Sequence, residues 1–356
     1  MKSTFKRMLS MVLCLCMLLS LVPFGSAAET AEASVTIDGV TTQYSTLDEA
    51  IAALSGATAE DEAVLTILKD LDLGNEVQHI YNGVFTIDLN GCAINGGDFA
   101  LYLYGAEVNI TITDLSEGGT IRGKTAAVAI YYATLQIEGG TFEGTAGYGV
   151  YNLGVLTVRD GMILGTYDAI NARGATVEIS GGTISGDSAG LYAVECDISI
   201  DGGTILCAAT GVHYSASAMF VSACSVEITG GTIHGSGMDS YGNYAEGLYI
   251  SDSTVTISGG SIYGEGVDIN TESGLTLTVG ENDEGATFPG GITVEGTTLD
   301  ALLGEGAAYW QGDKLVAAVG TEIAGGDVVI KAACAHENST VTTTPKDGHS
   351  HYCTYS

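Results

Sequence analysis

The ten residues VEISGGTISG, Val177–Gly186, decide the fold, because the same unit recurs before and after them. It reads LQIEGGTFEG from Leu135, LTVRDGMILG from Leu156, ISIDGGTILC from Ile198, VEITGGTIHG from Val226 and VTISGGSIYG from Val255. The first three steps are 21 residues each and the last two are 28 and 29. A period of this size is the mark of a solenoid, in which one short unit stacks on copies of itself.

Within each unit the apolar residues alternate, as a strand with one buried face requires. Leu135 and Ile137, Leu156 and Val158, Val177 and Ile179, Ile198 and Ile200, Val226 and Ile228, and Val255 and Ile257 point inward. Gln136, Thr157, Glu178, Ser199, Glu227 and Thr256 point out. A Gly pair, or Asp160-Gly161, lets the chain turn through positive φ. A second short strand then places Phe142, Ile163, Ile184, Ile205, Ile233 and Ile262 inside, and a third apolar point follows at Val150, Ile170, Leu191, Val212, Leu248 and Val267. Three strands per turn, with glycine corners and no helical period, predict an all-β parallel β-helix. Its coils lie about 4.8 Å apart, and the repeat count gives about ten of them. An antiparallel sandwich would not repeat one motif at fixed offsets.

Outward from the repeat, the chain divides into five parts. Residues 1–28 carry a Lys2, Lys6, Arg7 head, the apolar run from Met8 to Val22 and small residues near Ala28, the pattern of a secretory signal peptide. Residues 29–62 hold a strand at Ser34–Ile37 and a helix opening at Ser45, where Thr46 and Glu49 have capping-box spacing and Leu47, Ile51 and Leu54 share a face. That helix is expected to cover the open end of the first coil. Residues 63–297 form the β-helix. Residues 298–333 are expected to close it, with Tyr309 and Trp310 covering the last coil, and residues 334–356 are a Cys/His-containing tail.

The helix STLDEAI (Ser45–Ile51), LKD (Leu68–Asp70), TIDLNG (Thr86–Gly91), TITDLSEGGTI (Thr111–Ile121) and the recurrent ISGGTI together carry a family resemblance. The chain resembles secreted bacterial surface proteins with right-handed parallel β-helix repeats, adhesin-like members of the pectate-lyase-like superfold. The resemblance implies a right-handed solenoid exported to the cell surface. Members of that family also carry small C-terminal modules with a Cys-x-His element and a later His-x-Tyr-x-Cys-x-x-Cys. The tail matches to Cys353 and stops at Ser356, before the last cysteine, which implies a fragment of a longer protein. Cys334, His336, His351 and Cys353 have the ligand chemistry of a Cys₂His₂ zinc site; a Cys334–Cys353 disulfide in an oxidising compartment, or an unstructured stub, is the alternative.

Charge narrows the partners. The chain has 43 acidic against 11 basic residues, a net charge of −32, and three of those basic residues sit in the leader. Nucleic acid needs a basic footprint and is excluded as a partner. A repulsive acidic surface keeps an exported protein soluble and fits a monomer. Scattered Ca²⁺ sites on that surface are a second reading, although no EF-hand loop or GGxGxD repeat is present. Cys92, Cys196, Cys207, Cys224, Cys334 and Cys353 are too scattered to define the fold by disulfides. Cys196 and Cys224 each stand two residues before a unit, so they stack on adjacent coils, either as packed thiols or as a strained disulfide.

A lyase needs an Arg or Lys base beside acidic calcium ligands, and a hydrolase needs paired carboxylates. The coils hold few cations, Arg122, Lys124, Arg159 and Arg173 beyond Lys69, with no Asp-Asp, Gly-His-Gly or Arg-Ile-Lys element. A row of outward residues is more suggestive: Tyr102, Tyr131, Tyr151, Asn171, Tyr192, His213, Tyr249 and Asp268 follow the third apolar point of successive coils. Such a row can stack sugar rings, or its members can stack on one another and stiffen the wall. The insertions of the two long coils, within His213–Ser225 and Gly235–Glu246, place Tyr214, Phe220, Tyr241 and Tyr244 on loops beside it. The outward Thr141, Thr183, Thr204, Thr232 and Ser261 give one hydroxyl per coil and are broken by Met162, which argues against an ice-binding face.

The expectation is a secreted or cell-surface, non-enzymatic, adhesin-like β-helix binding extracellular glycans or a host or neighbour surface. The candidate binding residues are Tyr102, Tyr131, Tyr151, Tyr192, His213, Tyr214, Tyr241, Tyr244 and Tyr249. A polysaccharide lyase or glycoside hydrolase, and a stalk for a further domain, are the alternatives. No cofactor is required by this reading.

Overall fold

A computed structural model describes residues 31–213, 215–271, 274–280 and 284–333. Residues 1–28, which the sequence reads as a signal peptide, and Tyr214, Cys334, His336, His351 and Cys353 lie outside the described residues. The chain winds into a parallel β-helix of about ten coils with three walls. The first wall contains Gly83–Asp88, Val108–Thr113, Thr176–Ile179, Asp197–Ile200, Ser225–Ile228 and Thr254–Ile257. The second contains Thr120–Gly123, Thr183–Gly186, Thr204–Thr210, Thr232–Met238 and Ser261–Gly264. The third contains Phe99–Tyr104, Asp168–Arg173, Ala189–Val194, Ser217–Ser222, Glu246–Ser251 and Ile269–Thr271. In two central coils the strands run on through the corners as Ala126–Gly144 and Tyr148–Gly165.

The inward residues of the repeat form the core. Val177 pairs with Leu156 and Ile198, and Ile198 with Val226, so each apolar row runs along the axis; the rows of the first two walls are buried throughout. The Gly pair has a different reason at each position. A Cβ on Gly181 or Gly202 would collide with the carbonyl oxygen of Arg159 or Ser180 in the preceding coil. Gly182 and Gly203 lie at φ +76° and +75°, the left-handed region that side chains disfavour.

Both ends are closed. Ala33–Ile37 pairs antiparallel with Val40–Tyr44 and with the first-wall strand Val64–Ile67. Helix α1, Leu47–Ala53, is capped by the Thr46 hydroxyl, which accepts from the Glu49 N–H at 3.2 Å. It buries Leu47, Ala50 and Ile51, and Leu54 follows them into the core. At the other end Val328–Ala332 pairs antiparallel with Glu284–Phe288 and Ala307–Gln311. Tyr309 is fully buried there and donates its hydroxyl to the Leu299 carbonyl at 2.8 Å. Trp310, on the other face of that strand, is half-buried, so of the two only Tyr309 is fully enclosed.

The third wall departs from the expected register at two points. Leu191 pairs with Met219, not Val212, and Leu248 pairs with Ile269, not Val267. Val212 is 66% exposed. A constant spacing of seven from Ile163 to Ile170 and from Ile184 to Leu191 points to Val212 after Ile205. The chain instead prolongs the second-wall strand Thr204–Thr210 against Thr232–Met238 and inserts its extra residues at the next corner, residues 211–216 and 239–245.

Candidate functional site

The outer face of the third wall carries the candidate residues in three rows. The middle row runs His79, Tyr102, Ala129, Tyr151, Asn171, Tyr192, Phe220, Tyr249, Asn270 and Glu295. Tyr102, Tyr151, Asn171, Tyr192 and Tyr249 therefore stand where the sequence places them. Tyr131 belongs to the neighbouring row, in register with Tyr104. Its ring leans over the small, fully buried Ala129 and stacks on Tyr102 at 4.9 Å, so it fills the middle row by side-chain reach.

His213 and Asp268 leave the row. His213 sits on the first long corner, where its Nε2 meets the Thr166 carbonyl at 2.8 Å and Asp187 Oδ2 at 3.5 Å, with its ring edge-on to Tyr167 at 4.4 Å. Asp268 is buried, and its carboxylate accepts from Gly264 N–H and from the N–H and hydroxyl of Thr293. Phe220, expected on a loop, takes the ladder position His213 was given. His79, Tyr81, Tyr104 and Tyr148 were not anticipated, although the period-two LYLY at Leu101–Tyr104 and HIY at His79–Tyr81 carry the same signal as Tyr102.

The aromatic face has two parts of different geometry. Toward the N-terminal end the geometry is mixed: His79 is tilted to Tyr102 by 59°, Tyr81 to Tyr104 by 71° and Tyr104 to Tyr132 by 83°, while His79 stacks on Tyr81 and Tyr102 on both Tyr104 and Tyr131. Tyr81 and Tyr132 are 61% and 69% exposed. Toward the other end Tyr192, Phe220 and Tyr249 are parallel, with centroids 4.7 and 4.9 Å apart and interplanar angles of 2° and 4°. At those spacings the rings lie face to face: both faces of Phe220 and one face each of Tyr192 and Tyr249 are taken up in the stack, and Tyr249 also lines a cleft. The Arg173 guanidinium covers the first ring of this stack.

Between the two parts one coil is polar. Asp168 is fully buried; its Oδ2 accepts from Asn171 Nδ2 at 2.8 Å, while Oδ1 has no hydrogen-bond partner. Burial pushes its carboxyl up to about 6, against the lesser pull of Asn171, His213 and Arg173. Arg173 donates from Nε to Asn171 Oδ1. The other cations of the coils do not join it: Arg122 pairs with Glu143 at 2.6 Å on the second wall, and Arg159 with Glu138 at 2.9 Å at a corner.

The second long corner builds a cleft of about 730 Å³ against the third wall. Phe220, Tyr244 and Tyr249 supply its aromatic surface, and Ser217, Glu246, Asn270 and Glu295 its polar one. Asp239 holds the corner in shape by accepting from the N–H groups of Tyr241 and Asn243 and from Asn243 Nδ2. Glu246 accepts from Asn270 Nδ2 at 2.9 Å and from the Ser217 hydroxyl at 3.2 Å. Burial raises its carboxyl above the usual range, and the charges of Glu295 and Asp239 add to the rise. Tyr241 is exposed on the same corner but does not line the cleft.

Among the described residues no group of three or more His, Cys, Asp or Glu is placed to hold a metal, and no helix is long and apolar enough to cross a membrane. The class these features define is an all-β parallel β-solenoid. Set against family models, curated proteins and solved structures, the chain matches none.

Proposed function

We propose that the protein is an exported, cell-surface β-helix that binds glycans along the outer face of its third wall, with the cleft of the second long corner as its main subsite. The observation that carries this reading is the cleft itself. The edge of Phe220 and the rings of Tyr244 and Tyr249 stand beside a carboxylate, an amide and a hydroxyl whose partners are already fixed. Concave sites that pair ring surface with a few oriented polar groups suit sugars, which present CH faces and hydroxyls together. The tilted, exposed Tyr81, Tyr104 and Tyr132 extend the same chemistry along the wall. Export rests on the leader-like residues 1–28, and surface location on the family resemblance.

Hydrolysis is the second reading, favoured by one observation: Glu246, an acid raised by burial, shares the cleft with Glu295. Acid-assisted cleavage of a glycosidic bond needs such a pair. The cleft lining has no Lys, Arg or His, which is where a lyase base would stand. The test is a panel of plant and host polysaccharides offered to the mature protein with and without Ca²⁺, scoring retention and the release of reducing or unsaturated ends together. Retention without release, weakened by Tyr244→Ala and Tyr249→Ala, is the expected result. Release lost in Glu246→Gln would put hydrolysis first, and silence on both counts would leave a stalk.

A further inference from the structure

The stack Tyr192–Phe220–Tyr249 has two ends, and the molecule shows what closes one of them. Over the outer face of Tyr192 lies the Arg173 guanidinium, 5.3 Å from the ring centroid. A planar cation over an aromatic face is held by the ring's negative quadrupole. At the other end the next residue of the row is Asn270, not a ring, and its amide nitrogen is drawn aside to Glu246 Oε1 at 2.9 Å. Tyr249 therefore ends the stack in the cleft, where Glu246 and Glu295 bring negative charge and no lining residue brings positive charge.

Resting on the glycan-binding reading, we infer that the cleft takes the ammonium group of a glycan with free amino sugars, seated over Tyr249 between Glu246 and Glu295, in the place Arg173 holds at the far end of the stack. Three features favour this occupant. The ring face and the carboxylates offer a cation both of its usual partners. The Ser217 hydroxyl and Asn270 amide beside them suit the neighbouring sugar hydroxyls. A bound ammonium would also relieve the mutual repulsion of Glu246 with Glu295 and Asp239. The net charge of −32 draws a polycation toward the surface before any specific contact forms. An anionic polysaccharide would meet the same carboxylates as repulsion.

The experiment compares two tetrasaccharides of one length, glucosamine with free amines and its N-acetylated counterpart, by calorimetry at a pH where amines and carboxylates are both charged. The free amine should bind about tenfold or more tighter. The preference should disappear in Glu246→Gln/Glu295→Gln. It should survive in Glu178→Gln/Glu227→Gln, which removes the same charge from the first wall. Equal binding of both sugars, lost on changing Tyr249 to Ala, would keep glycan binding and overturn the ammonium site. Equal loss of preference in the two double variants would show that overall charge is responsible and would also overturn it. Binding of tetralysine through the cleft with neither sugar bound would overturn both readings. No binding of either sugar, with retention on a neutral polysaccharide, would overturn this inference alone.

Discussion

The Arg173 guanidinium lies over the Tyr192 ring, and Tyr192 is the first of three parallel rings that continue through Phe220 to Tyr249 on successive coils. The centroid separations of 4.7 and 4.9 Å equal the spacing of neighbouring strands, so parallel in-register pairing alone sets like residues ring over ring. The stack stiffens the wall behind the cleft and fixes the ring that forms its floor.

Phe220 is the middle ring and makes two such contacts. Each ring pair contributes about 0.5–1.5 kcal/mol, so Phe220→Ala should lower stability by about 1–3 kcal/mol, whereas Phe220→Tyr should stay within about 0.5 kcal/mol of the parent. Denaturant midpoints of the two variants check this. Equal midpoints would show that the rings are neighbours without mutual stabilisation.

Asp168 makes the protein less stable as pH rises. Its folded carboxyl lies at about 6 against an ordinary 3.8, so its contribution is fully present below 3.8 and is lost as pH climbs through about 6. A shift of this size corresponds to about 3 kcal/mol. Asp168→Asn should therefore match the parent at acid pH and exceed its stability by up to about 3 kcal/mol above neutrality, as read from urea midpoints across the range. A variant that is less stable at every pH would show that the carboxylate, not its amide isostere, is needed in the polar coil.

The corners should respond oppositely to glycine. Gly181→Ala drives a Cβ into the Arg159 carbonyl and should cost about 2–3 kcal/mol or more. Ala223 lies at φ +55° and is a non-glycine in the left-handed region. Ala223→Gly removes about 1–2 kcal/mol of strain against about 0.5–1 kcal/mol of chain entropy, so the variant should melt slightly higher.

The buried thiols should be silent in the native state. Cys196, Cys207 and Cys224 are buried, and the Cys196 N–H donates to Cys224 Sγ at 3.4 Å. The side-chain hydrogen bond between the two sulfurs favours negative charge on Cys224 and holds Cys196 as a thiol, the Cys196 N–H adds to the pull on Cys224, and burial keeps a reagent from either sulfur. Burial pushes Cys207 up to about 12. A maleimide followed by peptide mapping should label the half-buried Cys92 first and these three only after unfolding. A Cys196–Cys224 linked peptide under non-reducing digestion would show instead that the stacked pair closes.

The solenoid and most of its core were legible because strand alternation and the Gly pair are local rules that stacking repeats without change. Val177, Ile179 and Ile184 needed only their neighbours in sequence to be placed. The third wall was harder where the coil length changed. Val212 keeps the spacing that locates Leu191, and only inter-coil pairing of Thr204–Thr210 shows that the corner is elsewhere; His213 went astray with it. Tyr131 illustrates a different limit, since its backbone is in the outer row and only its ring reaches the middle one. The cleft joins residues from four successive coils and a corner, and Glu246, Asn270 and Glu295 share no motif that sequence could reveal. Tyr192 and Tyr249 were found by position, but that each gives one face to Phe220 depends on ring orientation.

The central claim is that ligand binding occurs at the third wall, and hydrogen–deuterium exchange of the mature protein, free and saturated with the best-retained glycan, tests it most directly. The account predicts slowed exchange in residues 215–222, 239–250 and 269–271 with the first wall unchanged. Protection centred on the first-wall strands Asp197–Ile200 and Ser225–Ile228, with none around Tyr244 and Glu246, would contradict it.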